Sequence, residues 1–252
     1  MSLLEPRALV VIPARLGSTR LPGKALADIG GRPMVVHVLS RAIEAALGPV
    51  VVATDSQEIA TVVRAAGGES LLTTGAHLCG SDRAAEALRA IDPEGRYDAV
   101  VNLQGDNPFL PEDALAGALA LLDDPVVDIG TVAAPAAPQE ADDPNAVKLV
   151  GTHVTPRRLR ALYFTRARAP WGEGPHYKHI GVYAFRRAAL ERFASLAPSP
   201  LELSERLEQL RALEAGMRID ATVLDKTSPS VDTGRDLEAV RRVSSSRGMS
   251  ES

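Results

Sequence analysis

Cysteine is almost absent from the 252 residues. Cys79 stands alone, so no intrachain disulfide and no Cys-only metal site can form. The chain also lacks any uninterrupted apolar run of about 18 residues, the length that crosses a bilayer as a helix. Its start, MSLLEPRALVVIPAR, carries only a short apolar run before Pro13, which reads as a strand and not as a secretory signal. Excess positive charge is missing too. Lys+Arg number 28 against 32 Asp+Glu, a net of −4, which excludes a nucleic-acid binder working by bulk charge but leaves room for a local basic pocket. No G-x-S-x-G occurs, and the 5 histidines show no zinc spacing. The expectation is a cytoplasmic protein that acts without nucleic acid or membrane. Its length fits one domain, expected over 1–243, with a small, polar, disordered tail at 244–252.

What is present is a regular alternation. ALVVIP (8–13), VVVAT (50–54), ESLLT (69–73), YDAVVNLQ (97–104) and VDIGTVAA (127–134) read as strands. Between them, 33–46, 56–66, 82–90 and 111–122 read as helices, the first with Pro33 at its opening position and the third with Ser81 as its cap. Continuous apolar strands alternating with helices predict an α/β fold: a mostly parallel twisted sheet flanked by helices. The stretch PAAPQEADDP (135–144) breaks the rhythm. The strand-like segments at 146–150, 161–165 and 178–186 predict a β-rich lobe over about 135–200, inserted between two halves of the sheet. Residues 204–215 read as an amphipathic helix, 219–224 as a late strand and 236–243 as a closing helix.

The most informative segment is the loop after the first strand, PARLGSTRLPGK (13–24). Open α/β sheets place ligands at the carboxyl ends of their strands. Arg15, Arg20 and Lys24 bring three cations there, and Gly17 and Gly23 let backbone amides approach an anion. A polyphosphate needs that mixture. The segment is no Walker loop: five residues separate Gly17 from Gly23, and Ala25 follows Lys24 where Ser or Thr belongs. No G-x-G-x-x-G follows the strand either.

This loop, PARLGSTRLPGKAL, resembles the nucleotide loop of the sugar nucleotidyltransferases that activate 3-deoxy-manno-octulosonate (KDO) with CTP. The resemblance continues in order through SDRAAEAL (81–88), LQGDNP (103–108), DPNAVKLV (143–150), LYFTRARAPW (162–171), HIGVYAFR (179–186), SPLELSERLEQLR (199–211) and VDTGRDLEAV (231–240). It implies a nucleotide-diphospho-sugar transferase type of fold whose β-rich lobe pairs two subunits as a homodimer. The implied reaction joins CTP and KDO into CMP-KDO and pyrophosphate for lipopolysaccharide synthesis, with Mg²⁺ as cofactor. Such a reaction asks for positioning and charge neutralisation more than for covalent catalysis.

The resemblance assigns roles residue by residue. Arg15, Ser18, Arg20 and Lys24 would meet the triphosphate, with Lys24 neutralising the leaving pyrophosphate. Asp106 and Asp232 would converge on one Mg²⁺, which typically takes only one or two carboxylates. Taken alone, Asp232 also suits a helix cap, and Thr233 with Asp236 has capping-box spacing. Asn107 departs from the pattern, because many relatives carry an acidic residue directly after the aspartate. Ser81, Arg83 and Gln104 are the candidates for reading the nucleotide. Arg166 is the candidate for the sugar carboxylate, which a guanidinium binds in bidentate fashion. His179 is suited to donate to a sugar hydroxyl; Gln104, Glu208 and Gln209 complete the sugar contacts. Lys178 stands where relatives often have arginine. Glu205, Arg211 and Glu214 read as a solvated helix face, and Asp55 as a turn residue. The rival readings are a cytidylyltransferase for another acidic sugar, a glycosyltransferase that consumes a nucleotide sugar, and a catalytically dead binding protein.

Overall fold

The computed structural model describes residues 8–17, 21–75, 77–227 and 229–248. Its architecture starts from the pleat of the first strand. In β1 (Ala8–Ala14), Val10 and Ile12 join one hydrophobic core while Leu9 and Val11 join another. A strand covered on both faces has no polar side to show, which is why 8–12 is continuously apolar. The remaining elements in chain order are β2 (Asp28–Ile29), β3 (Arg32–Pro33), α1 (Met34–Glu44), β4 (Val50–Thr54), α2 (Gln57–Ala65), β5 (Glu69–Leu72), α3 (Gly80–Ile91), β6 (Ala99–Leu103), α4 (Ala114–Ala120) and β7 (Ile129–Pro135). They are followed by α5 (Pro138–Ala141), β8 (Lys148–Thr155), β9 (Arg158–Thr165), β10 (Tyr177–Arg186), α6 (Arg187–Ser195), α7 (Pro200–Glu205), α8 (Gln209–Glu214), β11 (Ile219–Val223) and α9 (Gly234–Gly248).

Nine strands form one mixed sheet in the order β5-β4-β1-β6-β10-β7-β11-β9-β8. The first four are mutually parallel. Their chain connections leave β1 toward β4 on one side and β6 on the other, so the topological switch point lies between β1 and β6. One face is covered by α1, α2 and α4 through residues such as Val35, Leu39, Val63 and Leu115. The other is covered by α3, α6 and α8 through Leu88, Phe193 and Leu210. A third small core of Ile29, Met34, Val231, Leu237 and Val240 seats α9 against the start of α1.

The β-rich stretch expected as an inserted lobe is not detached from the sheet. The β8–β9 hairpin pairs through β9 with β11, and the first residues of β10 pair with β8 as well as β7. Strands β7, β11, β9, β8 and β10 therefore close a circuit of pairings, while the second half of β10 pairs with β6 in the open sheet. Three expectations are corrected. The segment 204–215 is two short helices, α7 and α8, broken where Arg206 adopts φ 56° and ends α7. The cap of α3 is Cys79, which puts Ser81 inside the first turn. The closing helix runs on to Gly248, through half of the expected tail.

Candidate active site

The loops after β1 and β6 meet at the switch point. Gly23 has φ 67°, a left-handed conformation that glycine adopts without strain, and it turns the chain into a 3-10 turn at Lys24–Leu26. That turn aims Lys24 at the end of β6. Its Nζ donates to Asp106 Oδ2 at 3.1 Å and to Asp232 Oδ1 at 3.2 Å. The two aspartates, far apart in sequence, thus face one cation. A backbone bond from Val231 N–H to the Asp106 carbonyl ties their loops together. Asp232 does not cap α9: Thr233 and Asp236 do, each accepting from the other's backbone N–H, which leaves the Asp232 carboxylate to the cleft. Asn107, buried, donates from Nδ2 to Asp106 Oδ1 at 3.1 Å. An acidic residue could not make that bond, so the departure at this position supplies a donor that orients Asp106.

Three connected depressions surround this point. The largest, about 660 Å³, runs from Asp106 and Asp232 across β10 to the α7–α8 elbow. One of about 240 Å³ holds Lys24, Arg15 and the two aspartates. One of about 120 Å³ lies between Pro13–Arg15 and the start of α3, with Arg83 and His77 in its wall. Arg15 and Gln104 line all three. Arg15 is exposed and has no partner among the described residues, so its guanidinium remains available to an anion. Ser18 and Arg20 lie outside the described residues.

Several expected ligands occupy other posts. Ser81 is fully buried; its hydroxyl accepts from Asn102 Nδ2, so the side chain supports α3 and does not face the cleft. Arg83, also buried, pairs with Asp55 at 2.9 Å and donates to Thr73, which gives Asp55 an ion-pair role in place of the expected turn. Arg166 reaches the cleft wall, yet its Nε and Nη1 donate to the carbonyls of Glu205 and Pro144, pinning the end of α7. Lys178 pairs with Glu140 at 2.7 Å.

His179 lines the cleft with a determined tautomer. The Thr131 hydroxyl spends its one hydrogen on the Val182 carbonyl, so the Thr131 oxygen must accept from His179 Nε2, 2.9 Å away. The ring is neutral, because burial pushes it down to about 3. Its remaining nitrogen is an acceptor, which corrects the expected donor role. Gln209 is buried, with Oε1 accepting from the Tyr183 hydroxyl at 3.0 Å. Its amide nitrogen has no partner among the described residues, leaving a donor under the cleft floor.

Glu208, expected among the sugar contacts, lines the cleft with both carboxylate oxygens engaged. Oε1 accepts from Gln104 Nε2 at 2.9 Å, and Oε2 from the Ser81 backbone N–H at 3.1 Å. Burial raises its carboxyl, against the pull of the Cys79 thiol and the Ser81 N–H, and burial with the Glu208 charge nearby raises the Cys79 thiol. Arg211, read as solvated, is buried under a fork to Glu202 and a bond to Asp82, and stacks 4.4 Å over the Phe193 ring. Glu205 is likewise engaged, accepting from Thr165 and the Arg166 backbone N–H. Sequence reasoning missed Tyr183 and Arg206 in the cleft wall. The alternation of β10 around His179 carries the signal for Tyr183, whereas nothing in the sequence marks the left-handed turn at Arg206.

A mixed sheet whose parallel half gathers a basic loop and two facing carboxylates at its switch point defines a nucleotidyltransferase. The cytidylyltransferase family model matches residues 9–219. A 3-deoxy-manno-octulosonate cytidylyltransferase of Rhodopseudomonas palustris is 59% identical over 242 residues, covering 96% of this chain and 99% of the relative. One from Methylobacterium radiotolerans is 61% identical over 234 residues, covering 92% and 95%. A solved CMP:2-keto-3-deoxy-manno-octonic acid synthetase complexed with CTP superposes with a TM-score of 0.86 at 37% identity, covering 96% of this chain and 99% of that one. A cytidylyltransferase from Leptospira borgpetersenii, at 17% identity and a TM-score of 0.60, shares the fold. The chain belongs to the cytidylyltransferase family, among its 3-deoxy-manno-octulosonate cytidylyltransferases. No helix among the described residues is long and apolar enough to cross a membrane.

Proposed function

We propose that the chain transfers the cytidylyl group of CTP to KDO, releasing pyrophosphate. The observation that carries this reading is the Lys24 ammonium held between Asp106 and Asp232 at the switch point, in a chain so similar to named KDO cytidylyltransferases. The triphosphate fits the depression beside Arg15 and Lys24, the base the one beside α3, and the sugar the large cleft crossed by β10. The anomeric oxygen of KDO forms a bond to the α-phosphorus in line with the departing β-phosphate. The bond from the α-phosphorus to the α–β bridging oxygen breaks, pyrophosphate leaves with that bond's electron pair, and the proton of the sugar hydroxyl passes to solvent. Arg15 and Lys24 stabilise the charge that builds on the leaving group. His179, neutral and with one acceptor nitrogen, accepts a hydrogen bond from a sugar hydroxyl and orients it.

Mg²⁺ fits this donor set. Asp106 and Asp232 already satisfy one cation between them, and no third histidine, cysteine or carboxylate joins them in a metal-sized cluster among the described residues. Two carboxylates with substrate and water oxygens is the usual magnesium complement. Bound there, the ion would neutralise phosphate charge and acidify the sugar hydroxyl. We further propose a cytoplasmic homodimer whose product enters lipopolysaccharide synthesis. Exposed Leu162 and Trp171, near the closed strand circuit, support the dimer, and light scattering at working concentration tests it, with a monomer mass refuting it. The test of the reaction pairs each nucleoside triphosphate with KDO, sialic acid and an amino-KDO analogue and measures pyrophosphate. Preference for CTP and KDO is expected; release with a different sugar, or none, overturns the assignment.

A further inference from the structure

Gln104 stands where the three depressions meet, and three neighbours fix its conformation. A Cβ at Gly80 would lie 2.7 Å from Gln104 Nε2, and one at Gly181 would lie 3.1 Å from its Cγ. The two glycines are thus the walls of a slot that the glutamine side chain fills. Glu208 closes the end of the slot, taking the amide N–H at 2.9 Å. The other carboxylate oxygen is engaged by the Ser81 N–H at 3.1 Å, so Glu208 cannot turn to offer a donor. An amide has one oxygen and one nitrogen; with the nitrogen committed to Glu208, the oxygen faces the opposite way. Gln104 Oε1 has no hydrogen-bond partner among the described residues.

We infer that Glu208 is a positioning residue that locks the Gln104 amide with its carbonyl oxygen toward the cleft, so that Gln104 reads a hydrogen-bond donor on the substrate. This rests on the proposed reading of the site and replaces the expected sugar contact of Glu208 itself. The donor chemistry is that of an exocyclic base amine or of a sugar hydroxyl. Cytosine carries such an amine where uracil carries an acceptor.

Glu208→Gln tests the lock. A neutral amide at position 208 can accept from Ser81 only by turning its own nitrogen toward Gln104, which then flips and points a donor at the substrate donor. The expected result is a rise on the order of tenfold in the KM of one substrate, the worth of one oriented hydrogen bond, with kcat changed much less. A rise for CTP with weakened discrimination against UTP assigns the base amine; a rise for KDO assigns a hydroxyl. The double variant Gln104→Glu with Glu208→Gln exchanges donor and acceptor within the pair and keeps an acceptor on the cleft side. It is expected to recover most of the lost affinity, which a merely structural role would not produce. Unchanged KM values in Glu208→Gln, or no recovery in a double variant that melts like the parent, overturn the inference. Should Glu208→Gln fold poorly, Gly181→Ala presses on Gln104 without touching Glu208; a parent-like KM there overturns it equally. Side-chain amide NMR of Gln104 gives a readout independent of turnover, since its Nε2 protons lose protection in Glu208→Gln if the lock exists. A parent chain that releases no pyrophosphate while the amide is protected would sink the proposed function and leave the lock standing.

Discussion

Lys24→Ala isolates the charge at the centre of the site. The ammonium lies 3.1 and 3.2 Å from two carboxylate oxygens, with side-chain exposures of 17% for Lys24, 27% for Asp106 and 19% for Asp232. At an effective dielectric near 20, each contact carries about 5 kcal/mol of Coulomb attraction before desolvation and the mutual repulsion of the acids are subtracted. Partly exposed pairs keep only a fraction of that, about 1–3 kcal/mol net. For a chain of this size, a loss of that order lowers Tm by roughly 3–10 °C. Turnover suffers far more. Removing one preorganised group that stabilises transition-state charge costs on the order of 10²–10³-fold in rate. The stability effect also has a sign that can be reversed. In the Lys24→Ala background two carboxylates face each other without their cation, so adding Asp106→Asn should raise Tm, whereas Asp106→Asn in the parent should lower it. Calorimetry of the four proteins and a continuous pyrophosphate assay read both effects. Activity within about threefold of the parent for Lys24→Ala, or the same sign of the Asp106→Asn shift in both backgrounds, would refute the electrostatic account.

Asp232→Asn should abolish turnover in the pyrophosphate assay as completely as chelation of divalent cations, with a fall in Tm like that of Asp106→Asn; near-parent activity would remove Asp232 from the proposed metal site. Arg211→Met removes a buried guanidinium forked to Glu202 and bonded to Asp82, leaving both acids unpaired, and should cost about 3 kcal/mol or more by urea denaturation. Acid stability should report Asp92. Burial pushes its carboxyl up, but the Tyr97 and Arg96 backbone N–H groups and the Arg96 and Arg187 side chains outweigh that and hold it below the ordinary range. Its contribution is therefore present above about pH 4 and lost as pH falls through the depressed value, so Asp92→Asn should flatten the acid limb of Tm against pH. Gly130→Ala would put a Cβ 2.0 Å from the Ala118 carbonyl and should drive the protein into the insoluble fraction or lower Tm by many degrees.

The sheet core was legible because its strands are covered on both faces. β1, β4 and β6 are apolar without interruption, and α1 repeats its apolar residues at helical spacing. The β8–β9 hairpin was read short, since its outer half is exposed and polar and only Pro156 marks its turn. The break between α7 and α8 escaped notice because a left-handed turn at arginine leaves no glycine to announce it. In the site, the basic loop with Lys24 was legible from its position after β1, whereas the role of Asp106 came from the resemblance. Asp232 came from resemblance alone, as its distance along the chain carries no geometric information. Arg211 and Glu205 were misread together. A charge on a short helix looks solvated until the partner that buries it, here α3 or the end of β9, is known.

Strand β10 belongs at once to the open sheet that carries the loops of Lys24 and Asp106 and to the closed circuit beside the large cleft. A stave shared between a fan and a hoop cannot tilt in one without shearing the other. Adjustment of the cleft therefore falls to the connecting loops and the elbow at Arg206, while the distance between the depression at Lys24 and the far wall of the large cleft is set by a single length of backbone.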